Sequence, residues 1–172
     1  MQGRTKRNFS GGSLKKRIFL QGLIAICMLS VLSGCSGMKL FGDKPPKAVI
    51  HITASNDINP DISGRPSPVV VRIYALKNDD IFNTADFFAL YENDKSILGD
   101  TMTAREEVEL APGDSVKMEK EFSMDTTHVG VIAAYRDLDH ATWRGSIATP
   151  KNKTTPIDIS VGRLTLSVSP GK

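Results

Sequence analysis

The sequence predicts an all-β domain, an antiparallel β-sandwich with one short inserted helix. Three observations carry this. From residue 48 onward, short runs alternate apolar and polar side chains with the period of two that a half-buried strand requires. Clusters of Gly, Pro, Asn and Asp separate the runs and supply turn chemistry. A single segment, around Phe88, instead repeats its apolar residues at helical spacing.

Taken in order, the first run is AVIHITA, residues 48–54, in which Val49 or Ile50 alternates with His51 and Thr53. PVVVRIYAL, residues 68–76, is β-branched and aromatic, so it reads as a second strand with Val70 and Ile73 as core candidates. NTADFFALYEND offers Asn83 and Thr84 as helix caps, Asp86 in the first turn, and Phe82, Ala85, Phe88 and Ala89 as an apolar stripe. REEVELAPGDSVKMEKEF, residues 105–122, has the pattern of a hairpin. Val108 and Leu110 alternate with Glu107 and Glu109, Pro112-Gly113-Asp114 turns the chain, and Val116, Met118 and Phe122 run back. HVGVIAAYRDL, residues 128–138, reads as a buried strand containing Val131. TTPIDIS and RLTLSVS, residues 154–160 and 163–169, alternate through Ile157 and Ile159 and through Leu164, Leu166 and Val168. The total is roughly seven or eight short strands whose short connections favour antiparallel pairing.

The first 34 residues belong to a different kind of segment. Arg4, Lys6, Arg7, Lys15, Lys16 and Arg17 precede a nearly uncharged run from Ile18 to Leu32, which ends at Ser33-Gly34-Cys35-Ser36-Gly37. This is the layout of a secretory leader, and the run falls short of the about 20 apolar residues a spanning helix needs. Leu32-Ser33-Gly34-Cys35 resembles the bacterial lipobox, which makes Cys35 the acylated first residue of the mature chain and removes Cys27 with the leader. Ser36 stands where lipoproteins kept at the inner membrane resemble one another in having aspartate, so the expected destination is the outer membrane, facing the periplasm. The expected organisation is a signal peptide over 1–34, the lipidated cysteine and a tether over 35–47, and a sandwich domain over 48–172. The tether from residue 36 to 47 reaches at most about 40 Å. Several acyl chains on one cysteine hold far more firmly than the marginal single chain.

Loss of the leader also changes the charge. It carries six of the 22 basic residues and none of the 19 acidic ones, leaving 16 against 19, a net −3. The basic character of the whole chain therefore offers no case for nucleic-acid binding. His51, His128 and His140 have no metal-ligand spacing. Neither Ser63 nor Ser115 lies in a nucleophile elbow. Asp57, Asp61, Asp79, Asp80, Asp137 and Asp139 are turn carboxylates without the spacing of a calcium loop.

Two regions draw a functional reading. SNDINPDISGRPS, residues 55–67, is long for a connection between strands, and long loops in compact domains are either functional or simply variable. YRDLDHATWR, residues 135–144, holds the only tryptophan together with Tyr and Arg, the residue types of interface hot spots. The same tryptophan also suits a plug at one end of the core, and Arg136 has Asp137 and Asp139 as local ion-pair candidates.

Four segments in order behind the lipobox, GRPSPVVVRIYALK, FNTADFFALYEND, LAPGDS and VGVIAAYRDLDHATWR, resemble the TssJ (SciN/VasD) family of type VI secretion system lipoproteins. The resemblance implies a transthyretin-like sandwich with an extra helix, tethered to the inner leaflet of the outer membrane. It also implies a structural role without enzymatic activity, binding the periplasmic C-terminal region of the inner-membrane protein TssM. No nucleic acid or small-molecule substrate is implied, and no cofactor beyond the acyl chains and diacylglycerol on Cys35. In the family the loop between the first two strands docks the partner, which corresponds to residues 55–67. Within it Asn56, Asp57, Ile58, Asn59 and Asp61 are the candidate contacts, with Ile58 as the apolar anchor. The competing reading is a periplasmic lipoprotein whose sandwich takes a small ligand or glycan in an aromatic-lined cleft.

Overall fold

The structure, a computed structural model, describes residues 43–172. The leader, Cys35, Ser36 and most of the expected tether lie outside the described residues. Eight strands form two four-stranded sheets. The first sheet has the order β4 (Ser115–Glu121), β1 (Lys47–Ala54), β7 (Thr154–Val161), β8 (Leu166–Pro170). The second has the order β3 (Met102–Leu110), β2 (Val69–Leu76), β5 (His128–Ala133), β6 (Arg144–Ala148). All pairs are antiparallel except β1 and β7, which run parallel from Lys47 opposite Thr154 to Ala54 opposite Val161. Strands so distant in sequence need no tight turn between them, so the parallel pair carries no topological cost.

The alternation predicted for β1 and β7 is realised: Ile50, Ile52, Ile157 and Ile159 are fully buried between the sheets. Val131, Ile73 and Leu166 join them, whereas Val70 is only half-buried on the opposite face of β2. β2 reads as continuously apolar toward its end because both of its faces are covered there. Tyr74 and Leu76 turn away from the sandwich and meet a helical layer, forming a second apolar cluster with Phe82, Phe87, Leu90 and Leu98.

That layer comprises α1 (Asp80–Thr84), α2 (Phe87–Leu98) and a 3₁₀ turn over Gly99–Thr101. Asn83 and Thr84 lie inside α1 rather than capping the main helix. The cap is Asp86, whose carboxylate accepts from the Ala89 amide at 2.9 Å, the bond an N-cap side chain makes to the third helical residue. Phe87, Leu90, Asp94 and Leu98 share the buried face at helical spacing. Asp94, 5% exposed, is tolerable there because Arg105 meets it at 2.6 Å and Arg72 at 3.9 Å. Gly130 in β5 is required by close packing: a Cβ there would lie 2.8 Å from the Phe82 ring. Arg144 closes the layer by donating to the Phe82 and Ala85 carbonyls at 2.9 and 2.7 Å.

Residues 105–122 do not form a hairpin. β3 pairs with β2 and β4 with β1, so the chain turns the corner from one sheet to the other. The apolar sides of β3 and β4 both face the interior, and the inner strands β2 and β1 offer each a better ladder. What is left between them is two charge-bearing edges, bridged by Lys120 to Glu106 at 2.7 Å. The strand expected over 128–138 stops at Ala133. A further strand, β6, follows Trp143 and lacked a clear alternating pattern. Trp143 packs against the core and meets Phe87 edge-on, with ring centroids 5.3 Å apart.

Candidate functional site

Strand direction sorts the loops into two ends. β1 rises from Lys47 and delivers residues 55–67 to the far end, where the β3–β4 turn, the β5–β6 connection and the β7–β8 turn also lie. Backbone hydrogen bonds stitch these loops together. Ala54 donates to Asp114 at 2.8 Å, Ser55 to Val161 at 2.9 Å, and Asn59 to Arg163 at 2.9 Å.

Asn59 is the hub. It is 3% exposed with φ 45°, a left-handed conformation that asparagine tolerates better than most residues. Its amide group donates to the Pro68 carbonyl at 2.6 Å, and its side-chain oxygen accepts from the Arg136 amide at 2.8 Å. The two regions singled out in the sequence are thereby joined. Ile58 corrects an expectation: it is 0% exposed and belongs to the sandwich core, so its side chain is not offered to a partner. Ile58 follows Ile52 by six residues across a loop, outside any alternating run that could reveal this.

Beyond Asn59 the loop locks on itself. Asp61 accepts the Ser63 and Arg65 amides at 2.8 and 3.0 Å and holds the Arg65 guanidinium at 2.8 Å. The Gly64 amide donates back to the Asp61 carbonyl at 2.8 Å, with Gly64 at φ 78°. The Arg65 amide first, then its guanidinium, the Ser63 amide and the charge of Arg136 hold the Asp61 carboxyl below its ordinary 3.8. This closed turn carries Ile62 at its tip with 108% relative exposure, the largest of any bulky apolar side chain among the described residues. Ile62, absent from the sequence-based selection, was legible as one apolar residue within a polar turn. Asn56 and Asp57 are also exposed, and Asp57 accepts from the Ser55 hydroxyl at 2.6 Å.

Ile62 forms one wall of an open cleft of about 590 Å³ that also takes in Pro60, Arg136, Asp137, Arg163 and Leu164. Arg136 does not pair with Asp137 or Asp139: Asp137 is bound to His140 at 2.8 Å, which raises the His140 pKa through that hydrogen bond. Arg136 and Arg163 are both exposed and make no ion pair among the described residues. The cleft thus presents an apolar knob beside two exposed guanidinium groups and the Asp61 and Asp137 carboxylates, Arg136 lying close enough to Asp61 to lower its pKa, with no aromatic wall of the kind a glycan site would use. Among the described residues no group of three or more His, Cys, Asp or Glu is placed to hold a metal. No described helix is long and apolar enough to cross a membrane.

The family described as type VI secretion lipoprotein, VasD, EvfM, TssJ matches residues 46–164. Among solved structures, the chain is similar to the type VI lipoprotein TssJ1 from Pseudomonas aeruginosa (36% identity, TM-score 0.72), covering 74% of this chain and 98% of that one. Serratia marcescens Lip, a membrane-bound component of the same kind of system, is 28% identical with a TM-score of 0.67 over 74% and 97% of the two chains. A chain in a structure described as the TssM C-terminal domain from EAEC is 30% identical with a TM-score of 0.61 over 73% and 99%. No curated protein registers as a match.

Proposed function

Since this chain belongs to the type VI secretion lipoprotein family, a structural rather than an enzymatic component, we propose that it is anchored in the outer membrane through acylated Cys35 and binds the periplasmic C-terminal region of TssM with the loop end of its sandwich. Residues 1–34 are the removed leader, and Ser36 directs the mature protein outward. The observation that carries the docking surface is Ile62, fully exposed on a turn clamped by Asp61, beside the exposed Arg136 and Arg163. A rigid apolar anchor with flanking charges loses little entropy on binding, and a few such residues carry most of an interface. Asn56 and Asp57 lie on the same exposed loop and contribute at its rim. Asp61 acts by holding the turn, while Ile58 and Asn59 support it from within. The relationship to a chain in a structure of the TssM C-terminal domain supports the choice of partner.

Titration of the protein against the periplasmic C-terminal region of TssM tests this. Ile62→Asp and Arg163→Glu should each weaken binding at least tenfold with thermal midpoints unchanged. Wild-type affinity in both variants would move the interface away from this end.

A further inference from the structure

The opposite end of the sandwich has its own chemistry. There the chain enters β1, and the registers Lys47 opposite Glu121 and Thr154, and Leu76 opposite His128, which in turn faces Ala148, bring the β4–β5 and β6–β7 connections alongside it. The Thr149 amide joins these two connections by donating to the Thr127 carbonyl at 2.7 Å. Asn152, at φ 62°, clamps the incoming chain: its side-chain oxygen accepts from the Lys44 amide at 2.6 Å and its amide group donates to Asp43 at 3.1 Å. The chain is therefore held to the surface between Lys151 and Lys153 before it leaves toward Cys35.

Lys47 is neutralised by Glu121 at 2.6 Å, and Lys77 lies 3.9 Å from Asp125. Lys44, Lys151 and Lys153 are exposed and ion-paired with no described residue, and Asp43 is the carboxylate among them. Met124, one of the few exposed bulky apolar side chains among the described residues, sits on the same end. Asp80 and Asp100 belong to α1 and the 3₁₀ turn, on the helical flank. Glu119 and Glu121 face Lys47, and Asp79 meets Ser146 and His128, so the surplus of positive charge is local to the incoming chain, where Lys44, Lys151 and Lys153 stand against Asp43.

We propose that this end is a second, non-covalent membrane contact, in which Lys44, Lys151 and Lys153 rest on anionic phospholipid headgroups and hold the domain upright. The inference rests on the reading of Cys35 as the anchor. Cys35 and Asp43 are eight residue steps apart, so this end can stand no more than about 29 Å from the lipid. Within that range, positive charge faces a surface of opposite sign. A lysine near an anionic surface gains roughly fivefold in occupancy, and lysine stems spread along an interface while their ammonium groups stay hydrated. The acyl chains already give stable attachment, so the basic patch sets the orientation of the domain rather than its retention. Docked this way, β1 stands across the sandwich and lifts the Ile62 cleft roughly 25 Å clear of the membrane.

The lipidated protein, spin-labelled at Met124→Cys or Ile62→Cys, is reconstituted in phosphatidylcholine vesicles with or without phosphatidylglycerol. The label at 124 should become immobilised and shielded from an aqueous relaxation agent only in the anionic vesicles, while the label at 62 stays exposed in both. Replacing Lys44, Lys151 and Lys153 by Glu should lower the docked-to-undocked ratio at least tenfold, and high salt should do the same. Flotation with an unshielded site 124, or shielding that survives the triple replacement, overturns this inference alone. Equal shielding in neutral vesicles also overturns it, by excluding headgroup charge. Failure to float at all overturns the Cys35 anchor and this inference with it.

Discussion

Replacing Ile58 by Ala should destabilise the domain although the residue lies in a loop. Ile58 is 0% exposed and contributes to the cluster between the two sheets. The substitution deletes three carbons, worth about 2.4 kcal/mol at about 0.8 kcal/mol per buried CH₂. The pocket cannot collapse freely, because the Ile58 carbonyl accepts the Ser67 amide and the next residue is fixed by Arg163, Pro68 and Arg136. A residual cavity of about 40 Å³ adds about 1 kcal/mol. The total, about 3 kcal/mol, lowers the thermal midpoint of a domain of this size by roughly 10–15 °C. Circular dichroism on heating, repeated by urea titration with an unchanged slope, measures it. Ile62→Ala, four residues on and fully exposed, should shift stability by no more than about 0.5 kcal/mol. Well below its midpoint, the Ile58→Ala protein should still bind TssM normally. A midpoint shift under about 3 °C for Ile58→Ala would refute its place in the core. A large shift for Ile62→Ala would refute the exposed tip.

Asn59→Ala should cost about 2–4 kcal/mol, since it unpairs the Pro68 carbonyl and the Arg136 amide and leaves Ala at positive φ; a midpoint within about 0.5 kcal/mol of wild type in urea would contradict the hub. Gly130→Ala should cost roughly 1–3 kcal/mol by pressing a methyl group on the Phe82 ring, and a neutral denaturation result would mean α1 yields. The Asp61 carboxyl has a lowered pKa, so its support of the turn is complete above 3.8 and is lost as pH falls through the lower folded value. NMR should show the Ser63 and Arg65 amides shifting with that carboxyl, and titration at or above 3.8 would contradict the clamp. Cys35→Ser should abolish incorporation of labelled palmitate, and Ser36→Asp should retain the lipoprotein at the inner membrane; persistent labelling, or unchanged outer-membrane fractionation, respectively, would count against these assignments.

Local patterns in the sequence sufficed for most elements, because a strand with one buried face must alternate and a turn must contain residues that permit it. Ile50 and Ile52, Ile157 and Ile159, and the Pro112-Gly113-Asp114 turn all follow from neighbours in the chain. The readings of a basic leader and of Leu32-Ser33-Gly34-Cys35 as a lipobox likewise rest on contiguous residues, outside the described part of the structure. Pairing is not local. Alternation in 105–122 suits a hairpin and a corner equally, and only the ladders offered by β1 and β2 decided for the corner. The same limit applies to the site. Ile58 and Ile62 sit in similar polar surroundings in the sequence, yet one closes the core and the other stands in solvent, because Asn59 turns the chain outward between them. Arg136 and Arg163, distant in sequence, line one cleft only because the β5–β6 and β7–β8 connections meet at the same end of the sandwich.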